Sequence, residues 1–107
     1  MMNDDAEQTV MELLIHAGDA RSGAMGAIAS ARNRRWREAE TQMEESRQAA
    51  RRAHAIQTRL IGLDEGSGKI PVNLILAHAQ DHLMTTMLCQ DMAQEFIWLH
   101  RRLAELE

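Results

Sequence analysis

The chain has 107 residues, enough for one domain (residues 1–107) with a single core but too few for a multidomain enzyme. Its formal net charge of −4 argues against a nucleic-acid binder, and its single cysteine, Cys89, leaves no internal disulfide and no CxxC metal or redox motif. No apolar run approaches the ~20 residues of a membrane span, and Met1-Met2-Asn3-Asp4-Asp5 lacks the basic and apolar regions of a signal peptide, so a cytoplasmic protein without direct membrane insertion is expected.

The composition is that of a helical protein. Ala, Leu, Met, Glu, Gln and Arg dominate, there is one Pro and no Tyr, and no strand-like alternation persists. A first helix is expected to open with Asp4 as N-cap and Glu7 three residues on, the capping-box spacing. Val10, Leu13, Leu14, Ala17, Ala20, Ala24, Ile28 and Ala31 continue it as a stripe at three- and four-residue steps. Gly18, Gly23 and Gly26 lie within that stripe, each costing about 1 kcal/mol relative to Ala in a helix. Close approach of a neighbouring helix is the simpler account of them, a ligand contact the other. Arg21 reads as solvated, although it could reach a phosphate or a carboxylate.

Asn33 tolerates the left-handed conformation, which places the first turn near residues 31–35. A second helix is predicted from Trp36 to Leu63, with the seam Trp36, Ala39, Met43, Ser46, Ala50, Ala53, Gln57 and Leu60. The seam is narrow and rich in small residues, so a neighbour must come close. Arg32, Arg34, Arg35, Arg37, Arg51 and Arg52 read as solvated surface, because Glu38, Glu40, Glu44 and Glu45 are interleaved with them. His54 and Gln57, one turn apart near the seam, need polar partners; a satisfied structural histidine is the simpler reading of His54.

Asp64-Glu65-Gly66-Ser67-Gly68-Lys69 is a loop. Its Gly-Lys pair does not make a phosphate-binding loop, since Leu63 and Ile70 occupy the places that need Gly and Ser or Thr, and no strand precedes it. Pro71 suits the first turn of a third helix over residues 71–105. Three helices of about 28–35 residues, each about 40–50 Å long and joined by short connections, predict an all-α, antiparallel up-down-up three-helix bundle. The third helix is apolar on more than one side. Leu76, Ala79, Leu83 and Met87 form one stripe; Ile75, Leu88, Met92, Phe96, Leu99 and Leu103 form another, with His78, His82 and Cys89 beside it. A monomer would leave a long patch uncovered, so oligomerisation through this helix is expected.

Within that helix, His78, Asp81, His82 and Thr85 share a face. Three chemistries fit. His78 and His82, four apart, could bind zinc in a metallohydrolase, which would also need another protein ligand, a cleft and a general base. A polar or metal cluster could form at an oligomer axis, where one Asp81 per subunit would repel its copies unless protonated or bridged by a cation. Or a histidine could relay a phosphoryl group. A neutral imidazole offers a lone pair without a separate base, its phosphoramidate bond is labile, and a rigid shallow surface suffices for donor and acceptor to dock in turn. Gln80, His82 or His54 could then steady the phosphate oxygens.

Ala17-Gly18-Asp19-Ala20-Arg21-Ser22, Ala53-His54-x-x-Gln57-Thr58 and above all His78-Ala79-Gln80-Asp81-His82-Leu83-Met84-Thr85 resemble the enzyme IIA subunit of the bacterial phosphotransferase system, lactose/cellobiose (N,N′-diacetylchitobiose) family, in order over about residues 9–100. The resemblance implies a homotrimer that accepts phosphate from the histidine phosphocarrier protein HPr. It then passes the group to a cysteine of the cognate enzyme IIB, for a sugar entering through enzyme IIC. His78 matches the phosphorylated histidine, with His82 and Gln80 as its companions. Asp81 matches the aspartate that meets a divalent cation at the threefold axis, by its oxygen ligands Mg2+, one per trimer. The alternative is a helical trimer that binds metal through Asp81 in a structural or interaction role only. One departure stands out: Asn33-Arg34-Arg35-Trp36 replaces an Asn-Gly-Asp-Phe-like turn, losing an N-cap and adding positive charge. The pattern does not separate lactose from cellobiose, chitobiose or another β-glucoside.

Overall fold

In the computed structural model, which describes residues 4–107 and side chains from residue 5 onward, the chain forms α1 (Asp4–Arg32), α2 (Trp36–Asp64) and α3 (Leu74–Glu105) in an up-down-up bundle. The bundle is a rod of 57 × 20 × 20 Å. Asp4 is the first described residue of α1, and the cap expected at its side chain lies outside the described residues.

The first turn differs from expectation in which residue reverses the chain. Arg34, not Asn33, takes the left-handed conformation, with φ +62°. Asn33 stays with α1 instead: its backbone N–H and its side-chain amide both donate to the Ala29 carbonyl. α2 then starts on Arg35, which makes no side-chain cap bond, as the lost capping residue predicts.

The second connection also corrects the sequence reading. Pro71 precedes α3 rather than lying in its first turn. The Asp64 carboxylate accepts from Gly68 N and from Ile70 N (2.9 Å), holding residues 64–70 in a hook beyond α2. The helix begins only where Asn73 Oδ1 accepts from Leu76 N at 3.0 Å, satisfying one of the first turn's free amides.

α1 is the helix that both others pack against. Its inner face, Ala17, Ala20, Ala24, Ala27 and Ala31, is buried, as are Val10 and Leu13. Near the α2–α3 loop these join Ala53, Ile56, Leu60, Leu76, Ala79 and Leu83; near the α1–α2 turn Met43 and Ala93 complete a second cluster. The glycines are not equivalent. A Cβ on Gly23 would stand 3.0 Å from Ser46 Cβ and 3.1 Å from the Gln42 carbonyl oxygen, so there the close approach of α2 accounts for the residue.

The buried face of α2 is wider than its predicted seam. Ala49 and Ile56 join it, while Trp36 and Gln57 lie at its half-buried edge. A helix facing two neighbours needs a broader stripe than a two-helix seam provides. Polar ties fix the register: Ser46 Oγ donates to the Ala20 carbonyl and accepts from Gln90 Nε2 (2.7 Å), and Thr86 Oγ1 donates to the Ala17 carbonyl (3.4 Å). The six residues of the second α3 stripe, Ile75 to Leu103, are at least 38% exposed, so the surplus apolar face of α3 is a real feature of the single chain.

Candidate functional site

The site is built from the first turns of α3. Leu76, Ala79 and Leu83 are buried against α1 and α2 and fix the rotation of the helix. With about 100° per residue, that anchoring sends His82 toward α1, Gln80 toward α2, and Asp81 away from both.

The contacts agree. His82 is half-buried, and its Nε2 lies 3.8 Å from the position a Cβ on Gly18 would take. Gln80 Oε1 accepts a hydrogen bond from Gln57 Nε2 across the α2–α3 interface. His78, one turn before His82, is exposed, and the two rings lie almost parallel (12°) with centroids 6.1 Å apart. Thr85 Oγ1 donates to the His82 carbonyl at 3.1 Å, so this hydroxyl is turned back on its own helix.

His78 and His82 therefore come together, and two other candidates do not join them within one chain. Gln80 is on the α2 flank. His54 is exposed along a groove between α2 and α3 with Arg47, Arg51, Met87 and Gln90. The nearby Glu44 carboxylate takes both arginines at 3.2 Å, and the hydrogen bonds from Arg51 and then Arg47 hold it below the usual carboxylate range. Sequence reasoning missed the pairing of Gln57 with Gln80. Their polar character near a seam was the available signal, but not which helix each would face.

Chemically, His78 offers an imidazole nitrogen on open surface, with a second imidazole one turn away. That arrangement suits a group received from and released to large partners. A zinc hydrolase would need a further ligand, and among the described residues no group of three His, Cys, Asp or Glu is placed to hold a metal.

Residues 8–101 match the family described as PTS system, Lactose/Cellobiose specific IIA subunit. The chain belongs to this family. As an enzyme IIA it is a component of a sugar phosphotransferase system. It is 45% identical over 100 residues to the N,N′-diacetylchitobiose-specific EIIA component of Escherichia coli (strain K12), an alignment covering 94% of this chain and 86% of that one. Its fold resembles the crystal structure of the PTS cellobiose-specific enzyme IIA from Bacillus anthracis, with a TM-score of 0.91 and 37% identity over 98% of this chain and 95% of that chain. It also resembles the IIA(Chitobiose) chain solved in solution with HPr from Escherichia coli, with a TM-score of 0.80 and 45% identity over 92% and 95% of the two chains.

For the IIA chain, Asp81 is the residue whose placement bears on a metal. It is exposed and has no ion-pair partner among the described residues. It lies in line with Thr85, Leu88, Met92, Leu99 and Leu103, the apolar ridge turned away from α1 and α2. One carboxylate cannot hold a cation alone. Three copies of this ridge meeting at an axis would supply three carboxylates, a donor set suited to a hard cation that keeps part of its water shell. No described helix is long and apolar enough to cross a membrane.

Proposed function

We propose that this enzyme IIA is the phosphocarrier of a chitobiose- or cellobiose-type uptake system, with His78 as the nucleophile. A ring nitrogen of neutral His78 attacks the phosphorus of phosphohistidine on HPr. The new N–P bond forms as the donor's N–P bond breaks, and HPr's imidazole leaves neutral. A cysteine thiolate of enzyme IIB then attacks the same phosphorus. The S–P bond forms, the N–P bond to His78 breaks, and His78 returns to its starting state. The sugar is phosphorylated later, as it enters through enzyme IIC.

The single observation that carries this reading is the near-parallel pair of His78 and His82 on an open helix face. His82 stands where an N–H can bond an oxygen of the transferred phosphoryl group, a charge-assisted hydrogen bond. Gln80 and His54 open on the other flank, so in this reading any help from them reaches the phosphoryl group of a neighbouring copy. The exposed ridge of α3 supports a homotrimer. In it Asp81 would hold a divalent cation, Mg2+ by its oxygen preference and one per trimer, which offsets the repulsion of like carboxylates. The sugar class rests on the chitobiose- and cellobiose-specific relatives.

The test is incubation with phosphoenolpyruvate, enzyme I and HPr, followed by intact-mass measurement before and after acid treatment. One acid-labile phosphoryl group per chain is expected. A chain that stays unmodified while a known IIA in the same mixture is phosphorylated would sink the reading.

A further inference from the structure

The end of the rod remote from His78 carries a concentration of arginine that the phosphoryl relay does not use. Arg32, Arg34, Arg35 and Arg37 surround the α1–α2 turn, and Arg101 and Arg102 come from the last turns of α3. About 25 residues of helix, roughly 37 Å, separate this end from His78. Residues 29–40 and 98–107 hold six arginines against four glutamates, while the rest of the chain holds six basic residues against twelve acidic ones. The molecule is electrically polarised along its length.

Two details set these arginines apart from ordinary solvated charge. Arg34 occupies a left-handed backbone position, φ +62°, that glycine takes without steric cost. A side chain kept there at a cost in backbone strain is a sign of use. Arg32 and Arg37 have no carboxylate within ion-pair distance among the described residues, and both are exposed. Arg47 and Arg51, by contrast, share Glu44 at 3.2 Å. The other tip arginines are paired but remain accessible: Arg34 with Glu107, Arg35 with Glu38 at 3.8 Å, and Arg102 with Glu105 at 2.9 Å. Arg101 bonds Glu40 and lies 5.3 Å over the Trp36 ring, and Leu106, which follows the last turn of α3, is 76% exposed.

We propose that this tip docks on the surface of an anionic phospholipid membrane. Guanidinium groups bind phosphate oxygens through paired N–H donors and give up water more readily than an ammonium group. The arginines are spread over a helix-end surface by three different helix termini instead of converging on one point, which fits a planar array of headgroups better than a single acidic side chain. An exposed Leu and a half-buried Trp beneath an Arg supply the apolar contact of an interfacial surface. Docking there leaves the His78 face free for protein partners. In the homotrimer proposed above, packing along the α3 ridge would present three such tips at one end, but the surface exists in each chain without it.

Cosedimentation with vesicles tests this. The intact chain should bind phosphatidylcholine vesicles containing phosphatidylglycerol and leave those of phosphatidylcholine alone in solution, with release at high salt. R32Q combined with R37Q should weaken binding by roughly 30-fold, the loss of two arginine contacts to an anionic surface. R34G separates a docking role from a structural one: relief of the backbone strain should hold or raise the melting temperature while vesicle binding falls. Phosphorylation by HPr, unchanged in all these variants, reports an intact fold. Equal binding to neutral vesicles, no binding at low salt, or full binding by the double variant would overturn the proposal. So would equally tight, salt-sensitive binding to soluble polyglutamate, which would assign the tip to an acidic protein.

Discussion

Nε2 of His82 lies 3.8 Å from the place where a Cβ on Gly18 would stand, while the same construction on Gly23 meets Ser46 Cβ at 3.0 Å and the Gln42 carbonyl oxygen at 3.1 Å. The two glycines thus have opposite consequences when replaced. Gly18→Ala makes an ordinary contact and should gain up to about 1 kcal/mol of helix propensity. Gly23→Ala drives α1 and α2 apart against backbone atoms and should cost about 1–3 kcal/mol. Urea or thermal melts of the two variants decide it, and equal shifts in the same direction would contradict the packing described.

His78→Ala is expected to abolish acid-labile phosphorylation. His82→Ala should slow it roughly 10- to 100-fold, the loss of one charge-assisted hydrogen bond of about 1.5–3 kcal/mol. Rapid-quench phosphorylation with HPr, beside circular dichroism to check the fold, gives both numbers. Persistence of wild-type phosphohistidine in the His78 variant would move the nucleophile elsewhere.

Phosphorylated protein mixed with free sugar should keep its phosphoryl group, since His78 lies on open surface and the proposed relay passes the group only to a docked protein. Loss of the label on adding sugar, with enzymes IIB and IIC absent, would contradict a protein-to-protein relay.

Asp81→Leu should remain trimeric in chelator, whereas the wild type should become less stable to heat or dilution once divalent cations are stripped. Three carboxylates at an axis repel by on the order of 4 kcal/mol per pair at 4 Å and an effective dielectric near 20. Leucine in the same line extends the ridge of Leu88, Met92, Leu99 and Leu103. Sedimentation equilibrium with and without chelator measures it. A leucine variant that dissociates would remove this aspartate from the axis.

Asn73→Ala removes the bond to Leu76 N and should cost about 1 kcal/mol. The loss falls at the start of α3, one turn before His78. Hydrogen exchange should therefore quicken at residues 74–78 more than along α1, and unchanged protection there would mean the cap is not what holds the turn.

Element type was legible in the sequence because 29- to 32-residue periodic stripes of apolar residues leave little alternative to helix. Ends were less legible. Asn33 and Arg34 are adjacent, and intrinsic preference favours Asn for the left-handed position; the bonds from Asn33 to the Ala29 carbonyl keep it helical and pass the reversal to Arg34. Pro71 is a good first-turn residue, yet the Asp64 carboxylate holds Ile70 N and leaves Asn73 as the cap. At the site, spacing alone put His78 and His82 on one face. It did not reveal that Gln80 would face Gln57, because that depends on which side of α3 the second helix takes.

The alanine-lined inner face of α1 has an evolutionary corollary. At Ala17, Ala20, Ala24 and Ala27 no surface is left open, and a larger residue would have to displace a whole rigid helix. Those positions can drift little. The exposed α2 positions Thr41, Glu45, Arg52 and Arg59 are under no such restraint from the scaffold. Substitutions at such positions leave folding stability almost untouched, so the freedom to vary lies on the outside of the rod and not along its alanine seam.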